Sequence, residues 1–218
     1  MTVLEAPAVQ QVQRTHLLWA GMASGPLFVA LSFAQVPFRE GFDLTKHPFS
    51  FLLLGPGGWL QSCNFVLAGV LYAVSGVGLR RALPGRTGGW AQFLITTMGT
   101  GMIAAGLFPP DPSYGYPEGA PAGVPADLSS GGIVHGLAFA VSMLCWCALL
   151  VVLGLWLRRS RRSGWATVAL ITAVALLVVP AVSAQPFGTV VLYVVVTGAF
   201  AITSALLAQV SSQIRGDR

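Results

Sequence analysis

Few residues in this 218-residue chain can do chemistry, so those few stand out. Asp111 lies in Phe-Pro-Pro-Asp-Pro, where prolines 109, 110 and 112 stiffen the backbone and hold the carboxylate in place. It reads in two ways. It is a turn residue or helix-end partner for Lys46 or Arg39, or it is a catalytic acid whose pKa is raised by burial. His135 falls near the start of a long apolar segment. There an imidazole either bonds a neighbouring carbonyl or serves as a proton carrier, since ionisable groups at membrane depth are costly and often functional. His47 precedes a proline in a polar loop and is the third catalytic candidate, against the simpler reading of a solvated loop histidine. His16 reads as structural. No HxxxH or HxxE spacing is present, and only one apolar segment carries a histidine at depth, so neither a metal nor a haem or other cofactor is expected.

Around these lie the candidate contacts for a substrate. Gln61 and Asn64 sit three apart on one helix face, inside the first turns of an apolar segment that opens with Gly-Pro-Gly-Gly-Trp (55–59). Amides there need partners, and the fourth apolar segment or the 109–128 loop is the expected source. The aromatic residues gather on the same side: Trp59, Phe65, Phe108, Tyr116, Phe139 and Phe28 are the substrate-binding candidates, with Phe33, Phe38, Phe42, Phe49, Phe51 and Phe187 nearby. An interfacial belt would place aromatics at both interfaces. This set is one-sided.

The elements that must position these groups are membrane spans. The chain is 55% hydrophobic and 9% charged, against roughly a quarter charged in soluble domains, and its mean hydropathy is +0.74. Six segments of spanning length are expected at about 17–35, 58–79, 89–108, 133–157, 164–184 and 189–210. They give an all-α, six-helix membrane domain over 16–210, with a disordered cytoplasmic lead over 1–15 and a tail over 211–218. Gly21 and Gly25 mark a close-packing face on the first segment. The net charge of +5 comes from basic clusters at segment ends, Arg80, Arg81, Arg86 and Arg158, Arg159, Arg161, Arg162. That pattern orients spans rather than binding nucleic acid. It places both termini in the cytoplasm and the loops 36–57 and 109–132 outside. GLRRALPGRTGGWA (78–91) echoes GLWLRRSRRSGWA (154–166), which reads either as two related hairpins or as the same anchoring chemistry used twice. Cys63, Cys145 and Cys147 form no disulfide or metal pattern and read as packing residues.

KHPFSFLLLGPGGWLQSCNFVLAG, FPPDPSYGYPEGAP and SGGIVHGLAFAV resemble the signature blocks of a bacterial membrane family catalogued as domain of unknown function 998. The likeness runs from the first segment through the sixth. It implies a six-helix bundle in the bacterial inner membrane, with Lys46, His47, Trp59, Asn64, Asp111, Gly115 and His135 at motif positions. Lys46 stands where arginine is usual, and Pro110 where threonine often precedes the aspartate. The resemblance implies no reaction.

The sharpest functional expectation is a membrane enzyme acting on a prenyl or terpenoid substrate in an outer-leaflet aromatic pocket. Asp111 would start a cyclisation or isomerisation, and the aromatic faces would shelter the cation. The alternative is a non-enzymatic protein that binds lipid or a partner. Transport or redox is a weaker third, because no charged residue falls mid-span to couple to an ion.

Overall fold

The computed structural model describes residues 5–183 and 188–216, and among them the regular structure is helical, with no strands. Six long helices follow one another: α1 (Glu5–Gln35), α2 (Gly58–Ala82), α3 (Gly85–Leu107), α4 (Ser130–Arg159), α5 (Ser163–Ser183) and α6 (Gly188–Gly216). Local chemistry sets their ends. α3 stops at Leu107, and Pro109-Pro110 follow, whose rings fix φ and carry no N–H to continue the ladder. α4 begins at an N-cap serine, the Ser129 hydroxyl accepting from Gly132 N–H at 3.0 Å. α1 departs from expectation: it starts at Glu5, inside the segment read from sequence as a disordered lead. The expected turn at 185–187, including Phe187, lies outside the described residues.

The helices form a ring in chain order, each packed on the next, and α6 closes it by packing on α1. Five are long and apolar enough to cross a membrane. Leu31, Leu67, Leu137, Leu144, Ile171, Val174 and Val194 stand exposed on their outer faces. So much outward aliphatic surface suits lipid and not water. This is a multi-pass membrane protein. α3 has the length but not the apolarity, because Gly, Thr and Gln92 dilute it. Those small residues serve packing. A Cβ on Gly69 would lie 2.4 Å from Gly99 O, and a Cβ on Gly99 would lie 2.4 Å from Gly69 O, so α2 and α3 cross backbone to backbone. Gly21 and Gly25 likewise face Ser75 and Leu207, and Tyr72 and Phe200, across the α1 seams with α2 and α6.

The two halves of the ring differ. Towards the arginine-rich end, Leu79, Leu149, Leu153, Leu157, Leu206 and Leu207 fill the centre. At the other end the centre is capped by a short 3-10 turn, Phe49–Leu53, whose Phe49, Phe51, Leu52 and Leu53 are all buried. The 109–129 loop locks onto this cap. Tyr116 meets Phe42 at 5.4 Å and His47 at 5.1 Å between ring centres, and Phe51 lies 5.8 Å from His47.

Candidate functional site

Beneath the cap, among α1, α2, α3, α4 and α6, lies a cavity of about 130 Å³. Phe28 comes from α1 and Phe65 from α2, while Met98, Met102 and Ala105 come from α3. His135, Phe139 and Trp146 line it from α4, Tyr193, Thr197 and Phe200 from α6, and Phe49 and Ser50 form its roof. The wall is almost wholly apolar. A cavity of this order takes about one aromatic ring or one isoprene unit.

His135 supplies the chemistry. It is buried, and its Nδ1 lies 3.0 Å from Ala105 O and 2.8 Å from Phe108 O. Both neighbours are acceptors, the open carbonyls at the end of α3. Nδ1 therefore carries the proton, and the ring is the neutral Nδ1–H tautomer. Nε2 is left with a lone pair and no protein donor among the described residues, on a ring that lines the cavity. The arrangement is a fixed acceptor or base, oriented by α3 and presented from α4. Ser50 and Thr197 also line the cavity.

Asp111 lies elsewhere. Its Oδ2 accepts from Ser129 N–H at 3.0 Å, and the carboxylate rests on Gly132, where a Cβ would come within 2.0 Å of Oδ2. The charge faces the positive end of α4, as a helix-end carboxylate does. Asp111 accepts hydrogen bonds here and does not line the cavity. Of the partners expected for it, Lys46 pairs with Asp43 at 3.2 Å and Arg39 bonds carbonyls.

His47 is buried in the cap, not solvated in a loop. Asp43 N–H donates to its Nδ1 at 2.9 Å, and its Nε2–H donates to Tyr114 O at 3.0 Å. Tyr193 O–H donates to its carbonyl. Both ring nitrogens are occupied, so His47 ties loop 36–57 to loop 109–129 and to α6. Near it, the Asp43 carboxyl is held down to about 2, chiefly by the Thr45 hydroxyl and amide and secondarily by Lys46. Burial raises the Tyr116 phenol, and the Arg39 charge partly offsets this.

Gln61 and Asn64 bond to α1, not to α4 or the 109–128 loop as expected. Gln61 Oε1 accepts from Gln35 Nε2 at 2.7 Å, Gln61 Nε2 donates to Ser32 Oγ at 2.9 Å, and Asn64 Nδ2 donates to Phe28 O at 3.0 Å. The register explains it: α1 precedes α2 through a folded loop, so their outer ends lie side by side. Trp59 is 66% exposed on the lipid side, Phe108 contributes its carbonyl to His135, and Tyr116 belongs to the cap. The structure thus gathers Phe28, Phe65, Phe139 and His135 at one cavity. It leaves Asp111, His47, Gln61, Asn64, Trp59, Phe108 and Tyr116 off its lining.

Sequence reasoning missed Met98, Met102, Trp146, Tyr193 and Phe200. Trp146 carried a usable signal. A mid-span indole N–H needs an acceptor, and Trp146 Nε1 finds Thr203 Oγ1 at 2.8 Å.

A family model described as "Protein of unknown function (DUF998)" matches residues 22–210, and the chain belongs to that family. No curated protein and no solved structure matches the chain.

Proposed function

We propose that this family member binds a prenyl or fatty compound with its polar end, about one isoprene unit long, seated in the cavity beneath the outer cap. The ligand is held at its polar tip by a hydrogen bond to His135 Nε2. The observation that carries this reading is the free Nε2 of a tautomer-locked imidazole set in a wall that is almost wholly apolar. A ligand hydroxyl or amine would donate to it. The chain crosses the bacterial inner membrane six times in this reading, with both termini inside, the arginine-rich turns on the cytoplasmic side and the cap outside.

The mechanism follows from the lining. Transfer of the chain from lipid into the cavity changes little in hydrophobic free energy, because both surroundings are apolar. Selectivity therefore rests on shape and on the one polar bond. Nδ1–H bonding to Ala105 O and Phe108 O fixes the direction of the Nε2 lone pair.

An enzymatic reading is favoured by one further observation: Phe28, Phe49, Phe65, Phe139, Trp146 and Phe200 surround the cavity with aromatic faces. Such a wall suits a carbocation, as in alkene- or epoxide-initiated cyclisation or isomerisation. In that reading His135, and not Asp111, passes the proton. The neutral ring first takes a proton from solvent at Nε2, gives it to the substrate to form the cation and recovers it as product forms.

Mass spectrometry of compounds that copurify with detergent-extracted wild type and with Ala105→Phe tests both readings. Ala105 lines the cavity, so phenylalanine there fills it. A single-chain compound present on wild type and lost from the variant is the expected result. Identical profiles would overturn the site. An isomer or hydrate formed only by wild type would select the enzyme, and an unchanged compound the binder.

A further inference from the structure

A second hollow lies on the lipid-facing side of the α1–α2 seam, separate from the cavity. Leu31, Ala34 and Leu60, Cys63, Leu67 form an apolar trough about 10 Å long along the two helices. Arg39 closes its outer end. The two hollows are divided by the polar seam, in which Asn64 Nδ2 donates to Phe28 O at 3.0 Å.

Arg39 is an unusual occupant of that position. It is 8% exposed, and it makes no ion pair among the described residues. Its Nη1 donates to Pro56 O, and its Nη2 to Leu52 O at 3.0 Å, to Gly57 O at 2.6 Å and to Gln35 Oε1 at 3.2 Å. Every one of these acceptors is neutral. Nε–H has no acceptor among the described residues and is not fully buried, and Arg39 lines the trough. Glu40 is exposed and does not pair with it. A buried cation with neutral partners, a spare donor and an apolar channel leading away from it lacks an anion.

We propose that this trough is a binding site for an anionic glycerophospholipid. One acyl chain lies between α1 and α2, and the phosphodiester sits on Arg39. The charge selects a headgroup without a compensating ammonium, such as glycerol. The trough selects a lipid over a free phosphate ion, because only a lipid fills both parts. Arg39 holds the 52–57 turn through its other donors, so a bound lipid would brace the cap from outside the ring.

Native mass spectrometry of the detergent-extracted full chain tests this, with palmitoyl-oleoyl phosphatidylglycerol and the phosphatidylcholine of the same chains as probes. Wild type is expected to retain phosphatidylglycerol about tenfold better, the scale of one charge-assisted hydrogen bond. Arg39→Gln and Ala34→Phe are each expected to abolish that preference. Ala34 is exposed and its side chain takes part in none of the Arg39 hydrogen bonds, so Ala34→Phe should keep the wild-type melting temperature and decides the matter if Arg39→Gln fails to fold. Equal retention of the two lipids by wild type would overturn the proposal. So would an undiminished preference in Ala34→Phe, or displacement of the lipid by millimolar inorganic phosphate, which would mark an ion site.

Discussion

The binding proposal stands or falls on His135, and His135→Ala isolates its contribution. In the wild type a ligand hydroxyl gains one hydrogen bond at Nε2. A neutral hydrogen bond is worth about 0.5–1.5 kcal/mol net, or about 2- to 13-fold in affinity, and a low-dielectric cavity favours the upper end. The substitution also removes the Nδ1–H donor from Ala105 O and Phe108 O, costing about 1 kcal/mol of stability that has nothing to do with ligand. Comparing affinities between variants would mix the two effects. The useful quantity is the ratio, within each variant, of affinity for a short prenyl alcohol to affinity for the matching hydrocarbon. Trp146 lines the cavity, so its fluorescence can report occupancy directly in detergent. Wild type is expected to prefer the alcohol by about tenfold and His135→Ala by no more than about twofold. A wild type that does not distinguish the two, or a mutant that keeps the wild-type ratio, would refute the role given to Nε2.

Asp111→Asn separates the helix-end role from the acid role: it should lower the melting temperature by the equivalent of about 0.5–1 kcal/mol while leaving ligand affinity and any turnover intact. Gly99→Val drives a side chain into the Gly69 carbonyl and Ala73 N–H across the α2–α3 crossing, so a loss above about 3 kcal/mol, read as collapsed yield and early melting, is expected. Asp43 has a folded pKa held down to about 2, below its unfolded value of 3.8, so its contribution is present above pH 4 and disappears as pH falls towards 2. Proteolysis of the 36–57 loop should therefore rise over that window in wild type, weakly because the carboxylate is largely exposed, and should lose that pH dependence in Asp43→Asn. Labelling single cysteines placed at Arg86 and Glu118, in a protein whose three native cysteines are changed to alanine, decides whether α3 crosses: an impermeant maleimide applied outside should reach only position 118.

What the sequence made legible follows from which interactions are local. Helix ends were readable because Pro109-Pro110, Gly57 and the Arg80-Arg81 and Arg158–Arg162 clusters act within a turn or two of themselves. The gathering of Phe28, Phe65 and Phe139 was readable for a related reason, since their positions along apolar segments of alternating direction put them at the same end of the bundle. Partners across the bundle were not readable. Gln61 and Asn64 could have turned to any neighbour, and the choice of α1 depends on the ring order and the rotation of α2. Asp111 looked poised for chemistry because prolines frame it. The same rigidity suits a cap on α4, and only the position of Gly132 tells the two apart. His135 was placed near the start of its helix, as α4 shows, but its tautomer depends on two carbonyls at the end of α3, 27 and 30 residues away.

The hydrogen bonds of the buried nitrogen-bearing side chains locate the sites better than residue type does. Arg39, His47, Gln61, Asn64, His135 and Trp146 are the buried ones among the described residues. His47 spends both nitrogens on the cap, the amides of Gln61 and Asn64 hold α1 to α2, and the Trp146 indole holds α4 to α6. Two nitrogens remain without a protein partner, His135 Nε2 and Arg39 Nε, and neither is sealed off. One is an acceptor in a neutral ring, the other a donor on a cation. Each borders an apolar hollow, and the hollows lie on opposite sides of the same amide seam. A polar atom without a protein partner that borders a hollow is open to completion by a group from outside the chain. The chemistry of the two atoms then differs as their ligands must: a hydrogen-bond donor on a chain inside the ring, and an anion on a chain outside it.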